Sequence, residues 1–120
     1  MASPTSRTLD HARSLGWTAQ VVERWNPHAR VRVDLFGVLD LVVLTPSSIV
    51  GIQACAGASH AARRDKILAE PRALAWLRAG GLLEIWSWSK RSKRGKRKVW
   101  ALRREAITEG MFAMQESEAA

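Results

Sequence analysis

Two oxygen-bearing side chains near the middle of the chain, Asp40 and Gln53, are spaced so that one hairpin brings them face to face. Thr45-Pro46-Ser47-Ser48 has the residue types that reverse a strand. A reversal centred between Pro46 and Ser47 pairs residues whose numbers sum to 93, and Asp40 then opposes Gln53. Opposed residues of an antiparallel pair hold their Cβ atoms about 4.5–5.5 Å apart, within reach of one shared hard cation, which prefers oxygen ligands. Cys55 shares the strand face of Gln53 by the period of two. Asp34, six residues before Asp40, lies on its side of a regular strand, with Gly37 between them as a site for a bulge. The chemistry open to these donors is divalent cation binding. The plainer alternative is an aspartate that caps a turn or pairs with an arginine, and a glutamine that hydrogen-bonds a neighbour.

The elements that must position these residues follow from pattern. Residues 1–6 read as a loose terminus, and 7–15 as a short helix ended by Gly16. Thr18 to Trp25 reads as a strand closed by Asn26-Pro27. A second strand starts near Arg30, is interrupted at Gly37, and continues as the apolar run Leu39 to Leu44, broken only by Asp40. Ile49 to Ala54 returns antiparallel to it. Ser59 is placed to cap a helix from His60 to about Ala69, and a second helical segment from Pro71 ends before Gly80-Gly81. Leu82 to Ser89 and Lys98 to Leu102 are two further strands, and Arg103 to Met114 a tail helix. This order predicts a single α/β domain over 7–108, with one central mixed sheet flanked by helices, an extra C-terminal strand, and a tail over 109–120.

The quoted order resembles the PD-(D/E)XK nuclease superfamily, which includes Holliday-junction resolvases and phage endonucleases; the resemblance spans about residues 8–102. That superfamily has an αβββαβ core, with an aspartate on the second strand and a (Glu/Gln)-x-Lys motif on the third. This chain offers Gly37-Val-Leu-Asp40 and Gly51-Ile-Gln53-Ala-Cys55. The resemblance implies that Asp40 and Gln53 bind Mg2+ or Mn2+ and that the reaction is phosphodiester hydrolysis. It also implies a further ligand role for Glu23, whose alternative is a surface ion pair with Arg24 or Arg32; Asp34 is a candidate metal ligand by its spacing from Asp40 alone. The departure is Cys55, which stands where the family has its lysine and is more often a buried space-filler than a nucleophile. Because that lysine migrates within the superfamily, Lys66 on the following helix is the expected replacement. Arg63 shares its face, while Arg64 falls on the side of His60; both arginines are expected to contact nucleic acid. The alternative for all three is a solvated helix face. His11, His28 and His60 show no ligand spacing.

Charge points to the same class of partner. Lys plus Arg number 19 against 11 acids, a formal charge of +8 with a pI near 11.1, which favours a polyanion. Seven cations fall within Lys90 to Lys98, namely Lys90, Arg91, Lys93, Arg94, Lys96, Arg97 and Lys98. A basic hairpin of this kind suits phosphate contacts with duplex or branched DNA. The same charge on a membrane-binding protein would sit on an amphipathic helix. Trp86 and Trp88 share a strand face and are open to base stacking, core packing or a dimer contact; Trp100 is expected to pack, and Trp17 and Trp76 to be structural.

No run of 18 apolar residues and no signal-peptide order occurs, and the single cysteine excludes an internal disulfide and a four-cysteine zinc site. The expectation is a cytoplasmic protein without a membrane partner. The resemblance further implies a homodimer, since one small nuclease domain cuts one strand. The function expected is a metal-dependent DNA endonuclease, with a branched-DNA resolvase as a specific form. Its alternative is a catalytically inactive nuclease-fold module that binds DNA or RNA.

Overall fold

A computed structural model of the chain describes residues 2–92 and 97–119, with the side chains of 116–119 left aside. The first helix, α1 (Pro4–Ser14), begins three residues earlier than the sequence pattern suggests. The reason is a reciprocal cap: the Ser3 hydroxyl accepts from the Ser6 amide at 3.1 Å and the Ser6 hydroxyl accepts from the Ser3 amide at 3.0 Å, with Pro4 in the first turn.

The strands are β1 (Thr18–Val21), β2 (Arg24–Asn26), β3 (Val31–Val33), β4 (Leu41–Leu44), β5 (Ile49–Ala56), β6 (Leu82–Ser92) and β7 (Lys98–Ala106). Five form one sheet in the order β1-β4-β5-β6-β7, and β2 and β3 pair apart as a small hairpin. The strand expected over Thr18 to Trp25 is therefore broken at Val22 and Glu23, whose amides both donate to the Asp40 carbonyl. The strand expected from Arg30 to Leu44 is also divided. Leu35 and Leu39 bond each other across a tight turn, with Phe36 and Gly37 at φ of 54° and 77°. A Cβ on Gly37 would meet only the movable ends of the Arg72 and Glu70 side chains, so it is the positive φ that favours glycine here.

The β4–β5 hairpin has the register read from its turn: Leu41 opposes Ile52 and Leu44 opposes Ile49. Thr45 closes the turn, its hydroxyl accepting from the Ser47 and Ser48 amides. After β5, a 3₁₀ turn (Gly57–Ser59), α2 (His60–Leu68) and α3 (Pro71–Arg78) carry the chain to β6, which runs parallel to β5. β6 and β7 form a long antiparallel hairpin, Glu84 opposing Ala106 and Ser92 opposing Lys98. Both strands outrun their expected lengths. Residues 103–106, expected in the tail helix, are strand because Arg104 and Glu105 alternate between the two faces and each finds partners there. The tail helix α4 starts at Glu109.

Helices cover both faces of the sheet. On one, α1 packs Ala12 over Leu41, Val43, Ile52, Trp86 and Trp88. On the other, α2, α3 and α4 contribute Ile67, Ala73 and Phe112 against Leu39, Cys55, Leu83 and Ile85. Trp86 and Trp88 are thus core residues, their indole N–H groups bonded to Glu84 and Thr8. Trp100, expected to pack, is instead 43% exposed, with the Arg7 guanidinium 3.7 Å from its ring centroid. It sits on the edge strand β7, with Arg7 of α1 and Lys90 of β6 over its ring. Among the described residues no helix is long and apolar enough to cross a membrane.

Candidate metal centre

The sheet interior ends at Asp40 and Gln53, and the geometry there follows from the hairpin. Asp40 precedes β4, and its amide donates to the carbonyl of Ile52, the residue already opposite Leu41, so the regular pairing ends at Leu41 and slips by one residue at Asp40. Its side chain is almost wholly buried, 4% exposed. Asp40 Oδ2 accepts from Gln53 Nε2 at 2.7 Å and from the Ala54 amide at 2.8 Å. Gln53 is 1% exposed, and its Oε1 has no hydrogen-bond partner. A buried amide oxygen without a donor costs roughly 1–3 kcal/mol, so this atom needs an explanation.

Two further carboxylates converge on Asp40. The Leu35–Leu39 turn folds the chain back so that Asp34 approaches it, and the break after β1 brings Glu23 alongside. One oxygen from each of Glu23, Asp34 and Asp40 lies within 4.8 Å of the other two. Asp34 therefore meets Asp40 through a turn, and the regular strand expected from their spacing is absent. Burial, the hydrogen bond and negative charge of Asp34, and the charge of Glu23 push the Asp40 pKa up to about 8, against the Ala54 amide bond that lowers it.

Cations ring the group. Lys66 Nζ lies 3.2 Å from Asp34 Oδ2, and Arg32 Nη1 lies 3.4 Å from Glu23 Oε1. Arg63 shares the inward face of α2 with Lys66, three residues away, and both line a cleft of about 710 Å³ with the start of α1, Glu23, Asp34, Asp40 and Gln53. The cleft lies at the carboxyl end of β5, where open α/β sheets commonly bind ligands. Cys55 is in its wall but buried; burial raises its thiol pKa, which Arg63 partly offsets and Asp40 reinforces. Such a thiol is unreactive.

Arg64 is turned away from the cleft. Its Nε and Nη2 donate to Glu105 Oε1 at 2.9 and 2.7 Å, and His60 Nε2 meets the same oxygen at 2.8 Å. Arg64, expected to contact nucleic acid, is held in this ion pair with its side chain 29% exposed. Lys90, Arg91, Arg97 and Lys98 are exposed at the far end of the β6–β7 hairpin. Lys93, Arg94 and Lys96 lie outside the described residues. Arg32 and Ser59, both in the cleft wall, are not singled out by sequence as site residues; alternation with Val31 and Val33 is the only signal for Arg32. Comparison of the chain with models of protein families, with curated proteins and with solved structures finds no match.

Proposed function

We propose that this chain is a divalent-metal-dependent DNA endonuclease, and that the cleft at the end of β5 is its active site. The observation that carries the reading is the unpartnered, buried Oε1 of Gln53 beside three converging carboxylates. An acidic cluster alone is common on protein surfaces. A buried neutral oxygen left without a donor in the same cleft is what a hard cation would satisfy.

The donor set fits Mg2+ or Mn2+, being oxygen throughout. Asp40, Asp34, Glu23 and Gln53 would hold the ion. Such a cation, when bound, supplies Lewis-acid polarisation of a phosphate and offsets the charge that develops during displacement. The protein's own residues do the rest. Gln53 Nε2 and the Ala54 amide fix the Asp40 carboxylate, and Arg32 fixes Glu23. Lys66 brings a positive charge to the edge of the acidic group from the helix after β5, the place expected for a lysine displaced from position 55. With Arg63 it can stabilise charge on a phosphodiester entering the cleft. The chain's charge of +8 supports a polyanionic substrate, and a buried free Cys55 suits the cytoplasm.

One cleft of this kind cuts one strand, so paired cuts in duplex or branched DNA call for a homodimer. The alternative, an inactive binding module, rests on Cys55 at the position of the expected lysine. Incubation of the protein with duplex, four-way-junction and single-stranded DNA, with Mg2+, with Mn2+ and with chelator, separates the two. Metal-dependent product on any of these substrates supports the enzyme, and bound but intact DNA under all conditions supports the module.

A further inference from the structure

A second concavity lies beyond the 3₁₀ turn that closes the metal cleft. Ala56 and Ser59 belong to the wall of the first cleft, and Gly57 to the wall of the second, a pocket of about 230 Å³. Its other walls come from the β6–β7 hairpin. Ser87, Ser89 and Arg91 alternate on one face of β6, and Arg103 stands directly across from Ser87 on β7. Ser87 pairs with Cys55 and Trp88 with Ala56, so Ser89 lies one residue past the end of β5, where the sheet opens.

The pocket is electrically one-sided. Glu105, the acid on this face of β7, is already shared by His60 and Arg64. Burial raises its pKa, but the bonds and charges of Arg64 and His60 outweigh that and leave it below its usual value. No carboxylate among the described residues comes within salt-bridge distance of Arg91 or Arg103. Two arginines with no carboxylate partner among the described residues and two serines thus line a pocket roomy enough for an oxyanion. Gly57 makes room for the Ser89 hydroxyl, which packs where a Cβ at position 57 would lie.

We infer that this pocket, formed by Arg91, Arg103, Ser89 and Gly57, binds the oxyanion of a phosphate group flanking the phosphodiester held in the metal cleft. The inference rests on the reading of the chain as a protein that acts on DNA, and it gives that reading a direction. The strand would leave the cleft over the Gly57–Ser59 turn and run along the β6–β7 hairpin toward its basic end. The ligand chemistry is a phosphate oxyanion, from a nucleic-acid backbone or from free inorganic phosphate, and the backbone is favoured because the pocket adjoins the cleft and lies on the basic hairpin.

The test measures binding of the full chain to a fluorescent duplex in chelator, so its outcome is independent of cleavage. Arg91→Gln with Arg103→Gln should lower the slope of log affinity against log salt by about 0.9, the value for the one phosphate that the two arginines neutralise together. Ser89→Val, which fills the pocket without altering charge, should weaken binding about fivefold with circular dichroism unchanged. Should that variant misfold, Ser89→Ala should still weaken binding by about threefold. Parent-like binding by a folded Ser89 variant would mean diffuse attraction only and would overturn the subsite. A slope unchanged in the arginine variant would overturn it as well. A parallel titration with inorganic phosphate, followed at the Gly57 amide by NMR, should give a weak response that Arg103→Gln abolishes. That response with unaltered DNA binding would make the pocket a free-phosphate site and refute the backbone assignment.

Discussion

Lowering the pH from 8 to 6 should strip the candidate metal centre of its ion, and the size of the effect follows from Asp40. With a folded pKa of about 8, Asp40 is half ionised at pH 8 and roughly 1% ionised at pH 6, because each unit below the pKa reduces the ionised fraction about tenfold. A hard cation needs the carboxylate, so metal binding must displace the proton. The metal association constant should therefore fall about fiftyfold between pH 8 and pH 6. At pH 7 each bound ion should release about 0.9 proton. Without metal, the sign for stability is the reverse of the common carboxylate case. The folded pKa lies above the unfolded 3.8, so the contribution of Asp40 to stability is fully present below about pH 3.8 and is lost as pH rises through about 8. Titration calorimetry with Mn2+ in buffers of differing ionisation enthalpy reads both affinity and proton count. An affinity constant to within threefold from pH 6 to 8, or a release below about 0.3 proton at pH 7, would refute the assignment of Asp40 as a ligand.

Lys66→Ala should lower turnover tenfold or more while changing DNA affinity less than threefold in a binding assay, because its ammonium lies beside Asp34 and acts on charge in the transition state. Neutralising Lys93, Arg94, Lys96 and Arg97 together should reduce the salt slope of DNA binding by about 3.6, at about 0.9 for each phosphate no longer neutralised; an unchanged slope would mean the basic run is solvated and uninvolved. Trp86→Ala should cost about 3–5 kcal/mol in denaturant unfolding, since the ring is fully buried between α1 and the sheet.

Local signals suffice where they are complete. Thr45-Pro46-Ser47-Ser48 specifies a turn with its own hydrogen bonds, and the register that follows runs to Leu41 opposite Ile52, so that Asp40 and Gln53 meet just past its end. Lys66 and Arg63 are legible as a pair from helical spacing alone. The approach of Asp34 and Glu23 is readable only in outcome. It depends on a positive-φ turn at Phe36-Gly37, closed by bonds among residues 34–39, and on a break between β1 and β2, where Val22 and Glu23 bond the sequence-distant Asp40 carbonyl. Tertiary partners likewise turn residues 103–106 from expected helix to strand, since Arg104 meets Glu84 and Glu105 meets His60 only when β7 lies beside β6. The exposed position of Trp100 has the same origin, for a tryptophan on an edge strand is covered only if a neighbouring element reaches it. Ser3-Pro4-Thr5-Ser6 is a different case: it is a local helix-start signal in plain view, and it overrides the loose terminus expected from composition.

The most direct test of the central claim is cleavage and affinity measured side by side for the parent and Asp40→Asn. Asparagine keeps the size of the side chain and one oxygen to accept from the Ala54 amide, but removes the charge that holds a divalent ion. DNA affinity measured in chelator at pH 7 should be equal to that of the parent, because without metal Asp40, with a pKa of about 8, is already mostly protonated there. Cleavage in Mg2+ or Mn2+ should be at least about a hundredfold slower. Cleavage by Asp40→Asn within a few-fold of the parent, at unchanged DNA affinity, would contradict the account and remove the carboxylate cluster from the mechanism.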